Sequence, residues 1–297
     1  MCKPSLLIIL MTLFPLISQA DTLRMSFDSG LAGEKIVSSS CLKYGEPVFT
    51  SDAGMTYYSD KESVGPGMSA EINVPKGLTG FGNIGGIVNF PKCFNSNGRI
   101  YKGQEIWISV KLKFPLGFEF NVNGRNKFLR LRTFHGDGNS KVSEGHNDLY
   151  INAPPGSSPG KDQPFHYIFE GAQEWYAMGN PEDFFDIGTW NTVEYYLKLD
   201  NIKGTDGGES TVRVWIDGKL IGESFDRVSL QRSDSYIESL YFFTYWDNDG
   251  AIKDQKFWVD DLVITTDMPG DRDSSGNPMI GVGDAKKAKP INDLIVK

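Results

Sequence analysis

The sequence predicts an all-β protein built as a two-sheet β-sandwich, on three observations. Alternating apolar and polar runs recur along the chain, as in EIWISVKLKF (Glu105 to Phe114), where Ile106, Ile108, Val110, Leu112 and Phe114 share one face. Turn residues punctuate these runs at short intervals, with 33 glycines and 15 prolines in 297 residues. Helical periodicity is hard to find, and only PEDFFDIG (Pro181 to Gly188) allows a turn or two of helix. Strands with one apolar face and short connections bury that face by packing sheet against sheet.

The chain opens with MCKPSLLIILMTLFPLISQA, which carries a basic Lys3, an apolar run from Leu6 to Ile17, and small Ser18 and Ala20 at a cleavable spacing. That order is the pattern of a secretory signal peptide, and about a dozen apolar residues are too few to span a bilayer. Residues 1–20 are expected to be removed, placing the mature protein outside the cell or in a periplasm. Cys2 lies in the basic segment rather than at the cleavage point, so no lipid anchor is expected. Cys41 and Cys93 then remain in an oxidising compartment and are expected to form a disulfide. Neither has the paired spacing that zinc requires. The formal charge of −8 argues against a nucleic-acid partner but leaves room for a local basic cleft. No later run is apolar enough for a membrane helix. One domain over 21–268 is expected, as a monomer, followed by a flexible polar tail over 269–297.

The strand KFLRLRTFHGDG (Lys127 to Gly138) raises the sharpest question. Alternation puts Leu129 and Leu131 on one face and Arg130 and Arg132 on the other, with Phe128 and Phe134. Two adjacent guanidinium groups repel unless water or an anion lies between them. EGHNDLYIN places Asp148, Tyr150 and Asn152 on one polar face opposite Leu149 and Ile151. PFHYIFEG sets His166 beside Tyr167, and alternation alone leaves open which of them faces outward. The stretch NAPPGSSPGKDQP (Asn152 to Pro164) reads as a rim or lid loop. NTVEYYLKLD and STVRVWIDGKLIGES are further strands, the second folded at Asp217-Gly218 as a hairpin. In YFFTYW, Tyr241, Phe243 and Tyr245 are expected on one face, with Phe242, Thr244 and Trp246 on the other. The DNDG that follows (Asp247 to Gly250) sets oxygen ligands at alternate positions, so Asp247 and Asp249 are candidates for a structural calcium, beside the simpler reading of an acidic turn.

The succession GTWNTVEYYLKLD, GESTVRVWIDGKLI, IESLYFFTYWDNDG and FWVDDLVI, spanning Gly188 to Ile264, resembles the C-terminal half of secreted polysaccharide lyases with the concanavalin-like β-jelly roll, of the glucuronan and alginate lyase type. One departure stands out: after YFFTYW those families commonly continue with a glycine pair, where this chain has DNDG. The resemblance implies an acidic, uronate-containing polysaccharide as partner, cleavage by β-elimination and no required cofactor. Such chemistry needs a cation to neutralise the uronate, a base for the C5 proton, and an acid for the departing oxygen. Arg130 and Arg132 suit the first role, His135, His146 or His166 the second, and Tyr150 or Tyr167 the second or third. Lys127, Asn152, Trp107, Lys111, Tyr241 and Tyr245 are candidate sugar contacts, each also explicable as ordinary packing. The E-x-D-x-E strand of jelly-roll glycosidases is missing, which counts against hydrolysis by a carboxyl pair. The competing readings are a non-catalytic carbohydrate-binding module and an adhesive surface protein.

Overall fold

A computed structural model describes residues 21–120, 123, 125–154, 163–201 and 208–283. The expected signal peptide and most of the proposed lid loop (155–162) lie outside the described residues. The alternating runs form two antiparallel sheets packed as a sandwich. A seven-stranded sheet has the order Glu174–Met178, Phe165–Phe169, Val142–Ile151, Asn126–His135, Tyr236–Trp246 and Gly86–Asn89, with Ile100–Tyr101 also paired to Tyr236–Trp246. An eight-stranded sheet runs Lys219–Arg227, Ser210–Ile216, Asn191–Lys198, Glu105–Lys113, Gln255–Thr265, Ser69–Val74 and Thr56–Ser59, with Thr22–Met25 joining Gln255–Thr265. Ile106, Ile108, Val110, Leu112 and Phe114 are fully buried in one core with Leu129, Leu131, Leu149 and Phe242 of the other sheet, as their alternation predicts. Among the described residues no helix is long and apolar enough to cross a membrane.

Alternation breaks at one place that shapes the site. The register to Val142–Ile151 jumps from Leu149 opposite Leu129 to Tyr150 opposite Lys127. On the other side it jumps from Phe242 opposite Leu129 to Tyr245 opposite Lys127. These are β-bulges, in which extra residues kink the strand and re-aim its side chains. Phe243 takes a φ of 50° to make its bend. Phe128 and Phe243 therefore join Leu129 and Phe242 in the core, rather than facing outward as simple alternation expects. Lys127 is turned instead to the face that carries Arg130, where the Tyr245 ring lies 4.5 Å from its ammonium and 5.2 Å from the Arg130 guanidinium.

Cys41 and Cys93 form the expected disulfide, with Cα atoms 5.1 Å apart, tying the segment before Leu42–Lys43 to the short helix Phe90–Cys93. The tail departs from expectation. Residues 269–283 are not a loose extension, because Asp271–Arg272 pairs with Pro278–Met279 in a small hairpin. Asp273 organises it, accepting from the backbone of Ser275 and Asn277 and from the Trp215 indole at 2.9 Å. Trp107 donates to the Pro278 carbonyl at 3.2 Å and is packed with Tyr196, Trp215 and Ile280. Trp107 and Lys111 thus belong to the eight-stranded sheet and lie away from the arginine cluster. Their strand pairs with Asn191–Lys198 and Gln255–Thr265 rather than with Asn126–His135. Lys111 is ion-paired to Asp261 at 3.1 Å. Neither is placed to touch a ligand held by the arginines.

Candidate active site

On the outer face of the seven-stranded sheet, Asp148 lies opposite Arg130, and Tyr241 flanks Arg130 from the other side. Arg130 is 4% exposed and Asp148 fully buried. A charge that far from water persists only when paired. Arg130 Nε lies 3.1 Å from both Asp148 oxygens, and Nη2 lies 3.0 Å from Glu170 Oε1. Lys127 Nζ adds a contact of 3.2 Å to Glu170. Two cations and two carboxylates therefore balance. Burial pushes the Asp148 carboxyl up, against the pull of Arg130. Burial also pushes Glu170 up, but the His146 hydrogen bond and the charges of His146, Arg130 and Lys127 outweigh it and hold Glu170 well below the usual carboxylate range.

His146, opposite Arg132 in the register, places Nδ1 2.7 Å from Glu170 Oε2. Burial, helped by the Arg130 charge, lowers its pKa below 6.5 despite Glu170 and Asp148. A neutral imidazole that donates its Nδ1 proton to a carboxylate keeps its lone pair on Nε2. The His146 Nε2 is buried and, among the described residues, has no hydrogen-bond partner. Its ring meets the Tyr241 ring edge-on, with centroids 5.2 Å apart. The Tyr241 hydroxyl is in turn hydrogen-bonded by Arg132 Nη1. Arg132 also reaches Ser143 Oγ at 3.3 Å and lies against the Phe134 ring. Among the described residues no carboxylate is within ion-pair distance of Arg132. The two arginines tolerate each other because they have different partners: Arg130 is neutralised within the protein, and Arg132 is not.

Other predicted residues divide between flank and core. Tyr150, Asn152 and His166 flank the cluster on the same face, with Tyr150 paired opposite His166. Asn152 Nδ2 lies 2.6 Å from His166 Nδ1, and the Tyr150 ring centre is 5.2 Å from Lys127 Nζ. Burial pushes the Tyr150 hydroxyl far above its ordinary value. Tyr167 is corrected to the core: it is buried beside Phe165 and Phe169, and its hydroxyl donates to Asn147 at 2.6 Å. His135 ends its strand on the side of Leu131, with Nδ1 2.9 Å from Glu144, apart from the cluster. Asp247 accepts the Arg125 backbone N–H at 2.8 Å, and Asp249 lies 3.4 Å from the Asn123 amide, so both carboxylates join the loop before Asn126–His135 to the loop after Tyr236–Trp246. Among the described residues the one group of three potential metal ligands is His146, Asp148 and Glu170. Arg130 and Lys127 already occupy its oxygens. Sequence reasoning missed Glu170, which follows Phe165–Phe169 in a turn, where an acid is unremarkable.

The fold is similar to that of alginate lyase Aly36B, with a TM-score of 0.51 and 14% identity, covering 82% of this chain and 96% of that one. A double mutant of that enzyme in complex with alginate trisaccharide gives a TM-score of 0.52 at 14% identity, over 82% and 97% of the two chains. The endo-β-1,4-glucuronan lyase of the fungus Trichoderma reesei gives 0.45 at 10% identity, over 72% and 87%. No family model and no curated protein matches the chain. At such identities the likeness is one of architecture: the chain has a polysaccharide-lyase-like jelly roll.

Proposed function

We propose that this protein is a secreted polysaccharide lyase that cleaves a uronate-containing glycan by β-elimination. The observation that carries the proposal is the grouping of an unpartnered His146 Nε2, the Tyr241 hydroxyl and the carboxylate-free Arg132 on one face. Arg132 binds the uronate carboxylate and disperses the charge that develops when C5 loses its proton. His146 Nε2 takes that proton, and the C5–H electron pair becomes the C4–C5 double bond. The C4–O bond breaks, its electron pair goes to the glycosidic oxygen, and the Tyr241 hydroxyl protonates that oxygen. The resulting phenolate is held by Arg132 until His146 returns a proton. Glu170 orients the imidazole, burial and the Arg130 charge keep it neutral, and Asp148 holds Arg130 in place; these residues position the base and touch no substrate.

The architecture shared with alginate lyases supports the reading, as does the expected signal peptide together with the Cys41–Cys93 bridge. The test is incubation of the purified protein with a panel of polyuronates and glycosaminoglycans while following the ultraviolet absorbance of an unsaturated uronate. Growth of that band on at least one polyuronate is expected. A glycan that binds tightly and yields no such band would favour the carbohydrate-binding reading.

A further inference from the structure

We infer that Trp175 and Arg125 form a second, remote subsite for an anionic sugar unit on the same face, resting on the reading of an acidic-glycan ligand. Trp175 lies on the edge strand Glu174–Met178 and is 42% exposed, unusual for an indole. It is nevertheless held on several sides. The Arg125 guanidinium lies 4.3 Å from its ring centre, the Tyr150 ring 5.4 Å and the His166 ring 6.4 Å. An exposed ring already fixed in place loses little freedom when a ligand arrives.

Arg125 supplies the charge. Among the described residues its buried Nε has no hydrogen-bond partner, and no carboxylate is within ion-pair distance of its guanidinium. Elsewhere on this face Lys127, Arg130 and Lys141 each have a carboxylate partner. Arg125 and Arg132 are the exceptions, and both lie against aromatic rings. A uronate offers what such a pair lacks: a carboxylate for the guanidinium and an apolar ring face for the indole.

The register places the two positions on one line. Trp175 pairs with Ile168, Ile168 with Asp148, Asp148 with Arg130, and Arg130 with Tyr241. Four inter-strand steps of roughly 4.8 Å separate the backbones of Trp175 and Tyr241 by about 19 Å. A glycan crossing the strands from Tyr241 to Trp175 would therefore span several sugar units, and Arg125, just before the strand that carries Arg132, reaches the Trp175 ring at its far end.

The experiment measures binding of a length series of polyuronate oligosaccharides by calorimetry to the wild type and to Trp175→Ala, Trp175→Phe, Arg125→Ala and Arg125→Lys, with folding checked by circular dichroism. Trp175→Ala and Arg125→Ala should each weaken the longest oligosaccharides about tenfold or more, and the loss should shrink as the chain shortens. Trp175→Phe and Arg125→Lys, which keep a ring and a charge, should fall between these and wild type. Equal affinities at every length would overturn the subsite, while continued release of unsaturated product would leave the lyase reading standing. An equal loss on carboxyl-reduced oligosaccharides would show stacking alone and overturn the anionic assignment. Failure of the wild type to bind any polyuronate would remove both.

Discussion

Arg130 and Arg132 are two residues apart, yet their replacement should have opposite consequences. Arg130→Ala leaves the fully buried Asp148 without its main partner. Breaking a buried pair from one side costs about 3–5 kcal/mol, so a lower melting temperature is expected. Arg132→Ala removes no ion pair and should leave the melting temperature nearly unchanged, while kcat/KM on a polyuronate falls on the order of a hundredfold. On a methyl-esterified substrate, which has no carboxylate to neutralise, the Arg132→Ala deficit should shrink; an equal deficit on acid and ester would remove Arg132 from that role. His146 gives a pH signature. Its lowered pKa places the acid limb of kcat/KM below pH 6.5, with activity rising as the imidazole deprotonates. Glu170 raises the imidazole pKa, so Glu170→Gln should move that limb to still lower pH and slow turnover. Alternation made the paired arginines legible in the sequence. Their division of labour was not, because it depends on Glu170, which reaches His146 only through the pairing of Phe165–Phe169 with Val142–Ile151.

At the level of elements, strand identity was legible from periodicity, and the bulges were not. Phe128, Leu129, Phe242 and Phe243 are all apolar, so no polarity change marks where the register shifts. Lys127 reaches the site only because of that shift, whereas Tyr245 keeps the face that alternation gives it with Tyr241. The hairpin over 271–279 was hidden for a related reason: its polar composition resembles a tail, while its anchors, Trp215 and Glu194, lie far away in sequence. Glu194 is 2% exposed and accepts the backbone N–H of Ile280 and of Gly281. Burial raises its pKa from 4.5 to about 7, opposed by those two hydrogen bonds. A carboxyl with a raised folded pKa contributes stability below pH 4.5 and loses it as pH rises through about 7. Unfolding free energy should fall by on the order of 3 kcal/mol across that window, and Glu194→Gln should flatten the slope. Denaturant titrations at several pH values would reveal it; an identical slope in the variant would assign the dependence elsewhere.

For the whole molecule, two sheets of distant strands make a core in which Phe114 alone meets Phe118, Phe120, Phe185 and Phe257 with ring centres within 5.3 Å. The Cys41–Cys93 bridge closes a loop with a sequence separation of 52, which contains Thr56–Ser59, Ser69–Val74 and Gly86–Asn89 of the two sheets. Replacing both cysteines by serine should lower stability by about 2–5 kcal/mol, measured by denaturant unfolding. The fold brings His146, Tyr241 and Arg132 onto one face, and the central proposal is that they cleave by elimination. That proposal is tested most directly by digesting a responsive polyuronate in heavy-oxygen water with the wild type and His146→Ala and weighing the products. The account predicts unsaturated ends without heavy oxygen from the wild type and almost no product from the variant. Saturated non-reducing ends, one water heavier than the unsaturated ones, would mean hydrolysis, and undiminished cleavage by His146→Ala would mean that another group removes the proton; either result contradicts the account.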